Sequence, residues 1–223
     1  MGLDFGSSYT RRLPVYFLIC TGDGMAGNPI LNVQDGLHTL HKDLLEQPQA
    51  VEQVWISLIT YATQSVQAIP LGPVTGFVIP DLPTGGAANL GQALKLLVES
   101  IRQEITPSSP DRKGDYRPLV FLLLDSDPTD RWEQQVASLE KLRRDGLLGT
   151  FIAVGIGERA NLGVLRQLTE SVLWMKELKQ EALYSFFHWT NASVSTVSRS
   201  VNLFPDNKVI SLPQPPNGSE IIL

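Results

Sequence analysis

Four short runs of nearly unbroken apolar residues constrain what this chain can fold into. LPVYFLIC (13–20), VWISLITYA (54–62), PLVFLLL (118–124) and GTFIAVGI (149–156) are too short to cross a bilayer, and they do not alternate in polarity. A strand that is apolar at successive positions has both faces covered. Parallel sheets with helices on each side meet that demand. The segments between these runs carry helical periodicity. Asn28-Pro29 reads as an N-cap followed by proline at the first helical position, and Ile30, Val33, Leu37, Leu40 and Leu44 continue one face. Asn89 and Gln92 read as a capping box ahead of the stripe Leu90, Ala93, Leu94, Leu97, Val98 and Ile101. Asp127-Pro128 is expected to open a helix bearing Trp132, Val136, Leu139 and Leu142, closed by Gly146. Further helices are expected over 161–171 and 180–200. Residues 66–78, with Pro70 and Pro73, suit an edge strand or hairpin. The segment 106–117 reads as an exposed insertion. This alternation predicts one doubly wound α/β domain over 1–212 with a central, mostly parallel sheet. A tail follows at 213–223, with a packing signal only in its last three residues.

Charge and cysteine content narrow the function. The net charge is −5 and no Lys/Arg cluster occurs, so no nucleic-acid partner is expected. A single cysteine, Cys20, forbids an intramolecular disulfide and suits a reducing compartment. Arg11-Arg12 ahead of the first apolar run superficially resembles an export leader, but no small-residue cleavage site precedes Cys20. A cytoplasmic protein without membrane attachment is expected.

Gly22-x-Gly24-x-x-Gly27 directly after the first run poses the main chemical question. A dinucleotide site also needs an acidic residue at the tip of the second strand and a helix that begins inside the motif. The second strand ends LITYATQS, without an acid, and the helix opens beyond the third glycine. A dinucleotide enzyme is therefore the lesser alternative. Cys20 as a nucleophile would want a basic neighbour, yet no Arg or Lys lies within 21–41, which favours an inert core residue. His38 and His41 are three apart on a helix but lack a third ligand, and His188 sits in an aromatic segment with Phe186, Phe187 and Trp189 that reads as packing. Asp125 ends an otherwise apolar strand and is expected to accept hydrogen bonds from N–H groups of the first loop. Asp127 is expected to cap the following helix, with Asp130 favouring its dipole.

Four ordered stretches carry a resemblance: LPVYFLICTGDGMAGNPI, GGAANLGQALKLL, YRPLVFLLLDSDPTDRW and SFFHWTNASVSTVSRSV. They resemble the von Willebrand factor A domain of the bacterial TerY type, associated with tellurite resistance and chemical stress. The resemblance implies a metal-ion-dependent adhesion site with Asp-x-Ser-x-Ser on the first loop, Thr on the second and Asp on the third. Those positions fall on Cys20, Gly22, Gly24, Ala88 and Asp125, of which Asp125 alone keeps an oxygen-bearing side chain. The glycine motif then reads as an eroded metal loop, and no cofactor is expected. Thr21, Asp23, Asn89, Asp127 and Asp130 are the neighbouring oxygens from which a rebuilt Mg²⁺ or weak Ca²⁺ site would have to be made. The implied function is a non-enzymatic protein-interaction module of a stress-response system. Its partners would be kinase or phosphatase components, or an intact metal-binding relative. The expected partner-binding face comprises Cys20, Thr21, Gly22, Asp23, Gly24, Ala88, Asn89, Asp125, Ser126 and Asp127. Large substitutions at Gly22, Gly24 or Ala88 are expected to abolish capture while sparing the fold.

Overall fold

Strands form where the apolar runs lie. β1 (Leu13–Cys20), β4 (Leu119–Leu124) and β5 (Phe151–Ile156) are buried at every residue, as central strands covered on both faces must be. The computed structural model describes residues 11–109, 111–176, 180–203, 213–215 and 220–222. β2 (Val54–Tyr61), β3 (Ser65–Pro73), β6 (Ser171–Met175) and β7 (Glu220–Ile222) complete a seven-stranded sheet in the order β3-β2-β1-β4-β5-β6-β7. The five central strands pair in parallel, and the edge strands β3 and β7 pair antiparallel with β2 and β6. β3 alternates between half-buried and exposed residues and contains Pro70 and Pro73, which an edge strand tolerates because its outer N–H groups need no ladder partner. β7 falls at the end of the segment read from sequence as a tail.

Helices cover both faces. α1 (Asn28–Leu45), α2 (Pro48–Gln53) and α6 (Gln180–Leu203) pack together on one side. α3 (Leu90–Glu104), α4 (Val136–Arg144) and α5 (Leu162–Leu168) pack in sequence on the other. The α1–α6 contact depends on Gly36, where an added Cβ would overlap the Phe187 ring. Beneath it, Phe121 meets Phe186 and Trp189 edge-on, so the aromatic segment of α6 packs onto the sheet. His188 lies 3.2 Å from Asp43 across the same helix pair.

Several helix starts differ from the sequence reading. α1 is capped by Gly27 at φ 81°, not by Asn28, because the chain turns through a left-handed conformation before the helix begins. The capping box of Asn89 and Gln92 does not form. Asn89 donates to Thr63 O at 2.8 Å and accepts from Thr129 Oγ1 at 2.7 Å. The cap of α3 comes instead from Asp130, whose carboxylate accepts from Gly91 N at 2.8 Å and Gln92 N at 2.9 Å. Asp127-Pro128 opens no helix, since a 3₁₀ turn over Trp132–Gln135 intervenes before α4. The segment 106–117 is also less exposed than its composition suggests. Asp115 and Tyr116 are buried, and Arg12 Nε donates to Asp115 Oδ1 at 2.7 Å while stacking 4.8 Å over the Trp55 ring.

Candidate functional site

A parallel sheet delivers its strand-to-helix loops to one edge, at the carboxyl ends of the strands. Four loops meet there: 21–27 after β1, 84–89 before α3, 125–131 after β4 and 157–161 after β5. Backbone bonds stitch the first two together, with Gly85 N donating to Thr21 O at 2.9 Å and Asp23 N to Gly86 O at 3.0 Å. Asp23 Oδ1 returns a bond by accepting from Gly86 N at 2.8 Å. The third loop is held to the second by the Asp130 cap and by Thr129 N donating to Ala88 O at 3.0 Å. The fourth is held to the third by Asn161, which caps α5 and donates its amide to Asp127 Oδ1.

The ten residues expected to form a binding face all reach this edge, but at two depths. Cys20, Thr21, Gly22, Ala88 and Asp125 are buried and form the floor. Asp23 and Asp127 are exposed, with Gly24, Asn89 and Ser126 half-buried between them. Ala88 is only 4% exposed, so a large residue there would enter the core, and the expectation that such a change spares the fold does not suit its position.

Asp125 is the unusual member of the floor. It is 3% exposed, and its Oδ2 has no hydrogen-bond partner. Its Oδ1 accepts a long bond, 3.4 Å, from Ser126 Oγ. The expected bonds from first-loop N–H groups are not made. Those donors turn elsewhere, Asp23 N to Gly86 O and Met25 N to Gly22 O. The Cys20 thiol beneath it is driven well above the ordinary thiol range, first by burial and then by the Asp125 charge and a hydrogen bond to it. Burial likewise raises the Tyr61 hydroxyl, which donates to Leu123 O at 2.7 Å. The floor is therefore a protonated thiol beside a carboxylate with a free oxygen.

Above Asp125 stands a residue that chain position could not associate with it. A Cβ built on Gly24 would overlap both Asp125 Oδ2 and Arg159 Nη2. The missing side chain at Gly24 is what lets the carboxylate and the guanidinium face one another. Arg159 sits 135 positions away from Gly24 in sequence, on the fourth loop, and its presence here depends on β5 lying beside β4.

A hard cation wants several oxygens in regular geometry. At Asp125 it would meet one carboxylate, a thiol, glycine backbone and an arginine. The neighbouring side chains already serve the loops: Asp23 Oδ1 accepts from Gly86 N, Asp127 Oδ1 from Asn161, Asp130 from N–H groups of α3 and Asn89 Oδ1 from Thr129, while Thr21 Oγ1 donates to Tyr61 O. The donor set does not fit such an ion. Among the described residues no group of three or more His, Cys, Asp or Glu side chains is placed to hold a metal, and the pair His38 and His41 is included in that statement. His41 Nε2 instead lies 2.9 Å from Val74 O. Among the described residues no helix is long and apolar enough to cross a membrane.

A scan of protein-family models gives no match, and neither does a search of curated proteins. Solved structures do match. Proximal thread matrix protein 1 from the mussel byssus, described with a zinc-occupied MIDAS motif, aligns with a TM-score of 0.61 at 16% identity over 83% of this chain and 48% of its own. A von Willebrand factor type A protein from Catenulispora acidiphila gives 0.61 at 13% identity, covering 83% of this chain and 43% of its own. The ArnB paralogue VWA2 from Sulfolobus acidocaldarius gives 0.55 at 14%, covering 79% and 44%. The chain thus spans less than half the length of each of these structures. Strand order, helix placement and these superpositions agree that the chain has the von Willebrand factor A-type α/β fold.

Proposed function

We propose that this domain is a non-enzymatic protein-interaction module whose binding face is the four-loop edge, and that it captures its partner without a bound metal. One observation carries the reading. Asp125, the residue at the third-loop ligand position, is buried with a free carboxylate oxygen, while the oxygens around it are committed to holding the loops together. Metal chemistry has little to build on there, yet the loops remain rigidly joined into a shaped surface. Against enzymatic readings, the protonated Cys20 is a poor nucleophile, and Gly27 sits ahead of α1 rather than within it, away from a phosphate-binding geometry. The sequence resemblance to the TerY type extends the reading to a bacterial stress-response setting, with kinase or phosphatase components or a metal-binding relative as partners.

The test places a photo-crosslinking amino acid at Asp23 or Asp127 on the loop edge, or at Glu99 on the exposed side of α3, with and without chelator. The reading expects one discrete cross-linked species from the loop positions, unchanged by chelator and absent from position 99. Cross-links confined to position 99 would overturn the interface, and loss with chelator would overturn metal independence.

A further inference from the structure

We infer that Arg159 supplies a positive charge at the centre of this face and that its guanidinium, beside buried Asp125, binds a carboxylate presented by the partner protein. The inference rests on the loop edge being the interface. Three features of the structure converge on it. Arg159 is exposed and, among the described residues, makes no hydrogen bond or ion pair, so its planar set of N–H donors is uncommitted. Asp125 lies on the inward side across Gly24, near enough that one added Cβ would meet both groups, and it consumes none of the guanidinium's donors. Gly24 itself leaves the gap that both side chains need, since any Cβ there would overlap them.

An arginine in this setting offers a parallel pair of N–H donors that matches the two oxygens of a carboxylate, with a geometry that a lysine point charge does not supply. The other acids of the edge do not cancel the site. Asp23 and Asp127 each accept a hydrogen bond from a neighbouring loop, and Glu158 lies 3.9 Å from Lys176. The thiol of Cys20 stays protonated below and adds no charge.

The experiment follows backbone amide and arginine Nε–Hε resonances of the intact chain during titration with sodium acetate and, separately, with a short capped peptide containing one glutamate, at constant ionic strength. Lysine methyl ester serves as the cationic control. The inference expects shifts confined to Gly24, Ser126 and Arg159, stronger for the peptide than for acetate. Arg159→Gln should weaken them about tenfold or more, the loss typical of a charge-assisted pair. Glu99→Gln, on the exposed side of α3, should leave them unchanged. Gly24→Ala, which pushes the two side chains apart, should weaken binding, and Arg159→Lys, which keeps the charge without the paired donors, should retain only part of it. Shifts that survive Arg159→Gln, or that appear with lysine methyl ester instead, would overturn the inference. If carboxylate binding fails while cross-linking still maps the partner to the loop edge, the interface stands and only the role of Arg159 falls.

Discussion

Removing the Asp130 carboxylate should loosen the site from a distance, by uncapping α3. Its two oxygens accept from Gly91 N and Gln92 N at 2.8 and 2.9 Å, so one side chain on the third loop closes the N-terminus of a helix that starts from the second. Gly91 is buried and its N–H would have no water to replace the lost acceptor, whereas Gln92 is exposed and its N–H would be solvated. Only the Gly91 bond therefore carries the full cost of an orphaned donor, about 1–3 kcal/mol. The negative charge at the helix start adds about 0.3–1 kcal/mol. Asp130→Ala should thus destabilise the fold by about 2 kcal/mol, which for a domain of this size lowers Tm by roughly 4–8 °C. Asp130→Asn keeps one acceptor and loses the charge, so it should cost about half as much. Urea titration followed by tryptophan fluorescence suits the measurement, because Trp132 lies two residues from the cap. Raising salt should narrow the gap between Asp130 and Asn, since only the charge component is screened. A cost for Asp130→Ala below about 0.5 kcal/mol, the range of an ordinary surface change, would refute the cross-loop cap. So would an Asn variant as unstable as the Ala variant.

Three further outcomes are expected. Gly36→Ala should destabilise by about 1–3 kcal/mol despite alanine's better helix propensity, because its Cβ meets the Phe187 ring, and Phe187→Leu should recover part of that loss in the same unfolding assay. Asp115→Ala removes the acceptor of Thr106 N and the carboxylate partner of Arg12, which keeps its bond to Glu104 O, and should cost about 1–3 kcal/mol by chemical denaturation, with Asp115→Asn milder. Stability should fall as pH rises above about 9, since the folded chain holds the Cys20 proton that the unfolded chain releases there, at about 1.4 kcal/mol per pH unit. Tyr16 and Tyr61, also raised by burial, join only from about pH 10, so Cys20→Ala should flatten the pH 9–10 part of a Tm profile alone.

The sheet was readable because burial on both faces writes itself into consecutive residues. β1, β4 and β5 coincide with the apolar runs, and the prolines of β3 mark it as an edge. Helix faces were readable for a similar reason, because period and amphipathicity are local. Helix ends were less so. The cap of α3 lies at Asp130, beyond the helix it serves, and no spacing rule reaches across an intervening strand to find it. The segment 106–117 misled because its polar composition conceals Asp115, which is buried by Arg12 from the far end of the chain.

The sequence by itself determined the layered α/β architecture, the set of loops that gather at one edge, and the absence of side-chain oxygens at Cys20, Gly22, Gly24 and Ala88. Tertiary structure alone decided what stands there instead. Cys20, Gly24, Asp125 and Arg159 are scattered along the chain and become neighbours because β1, β4 and β5 lie side by side in parallel, bringing their carboxyl ends to one place. Sequence proximity had made Cys20 look remote from any basic residue. The fold brings a guanidinium to the same face through a strand order that only long-range packing sets.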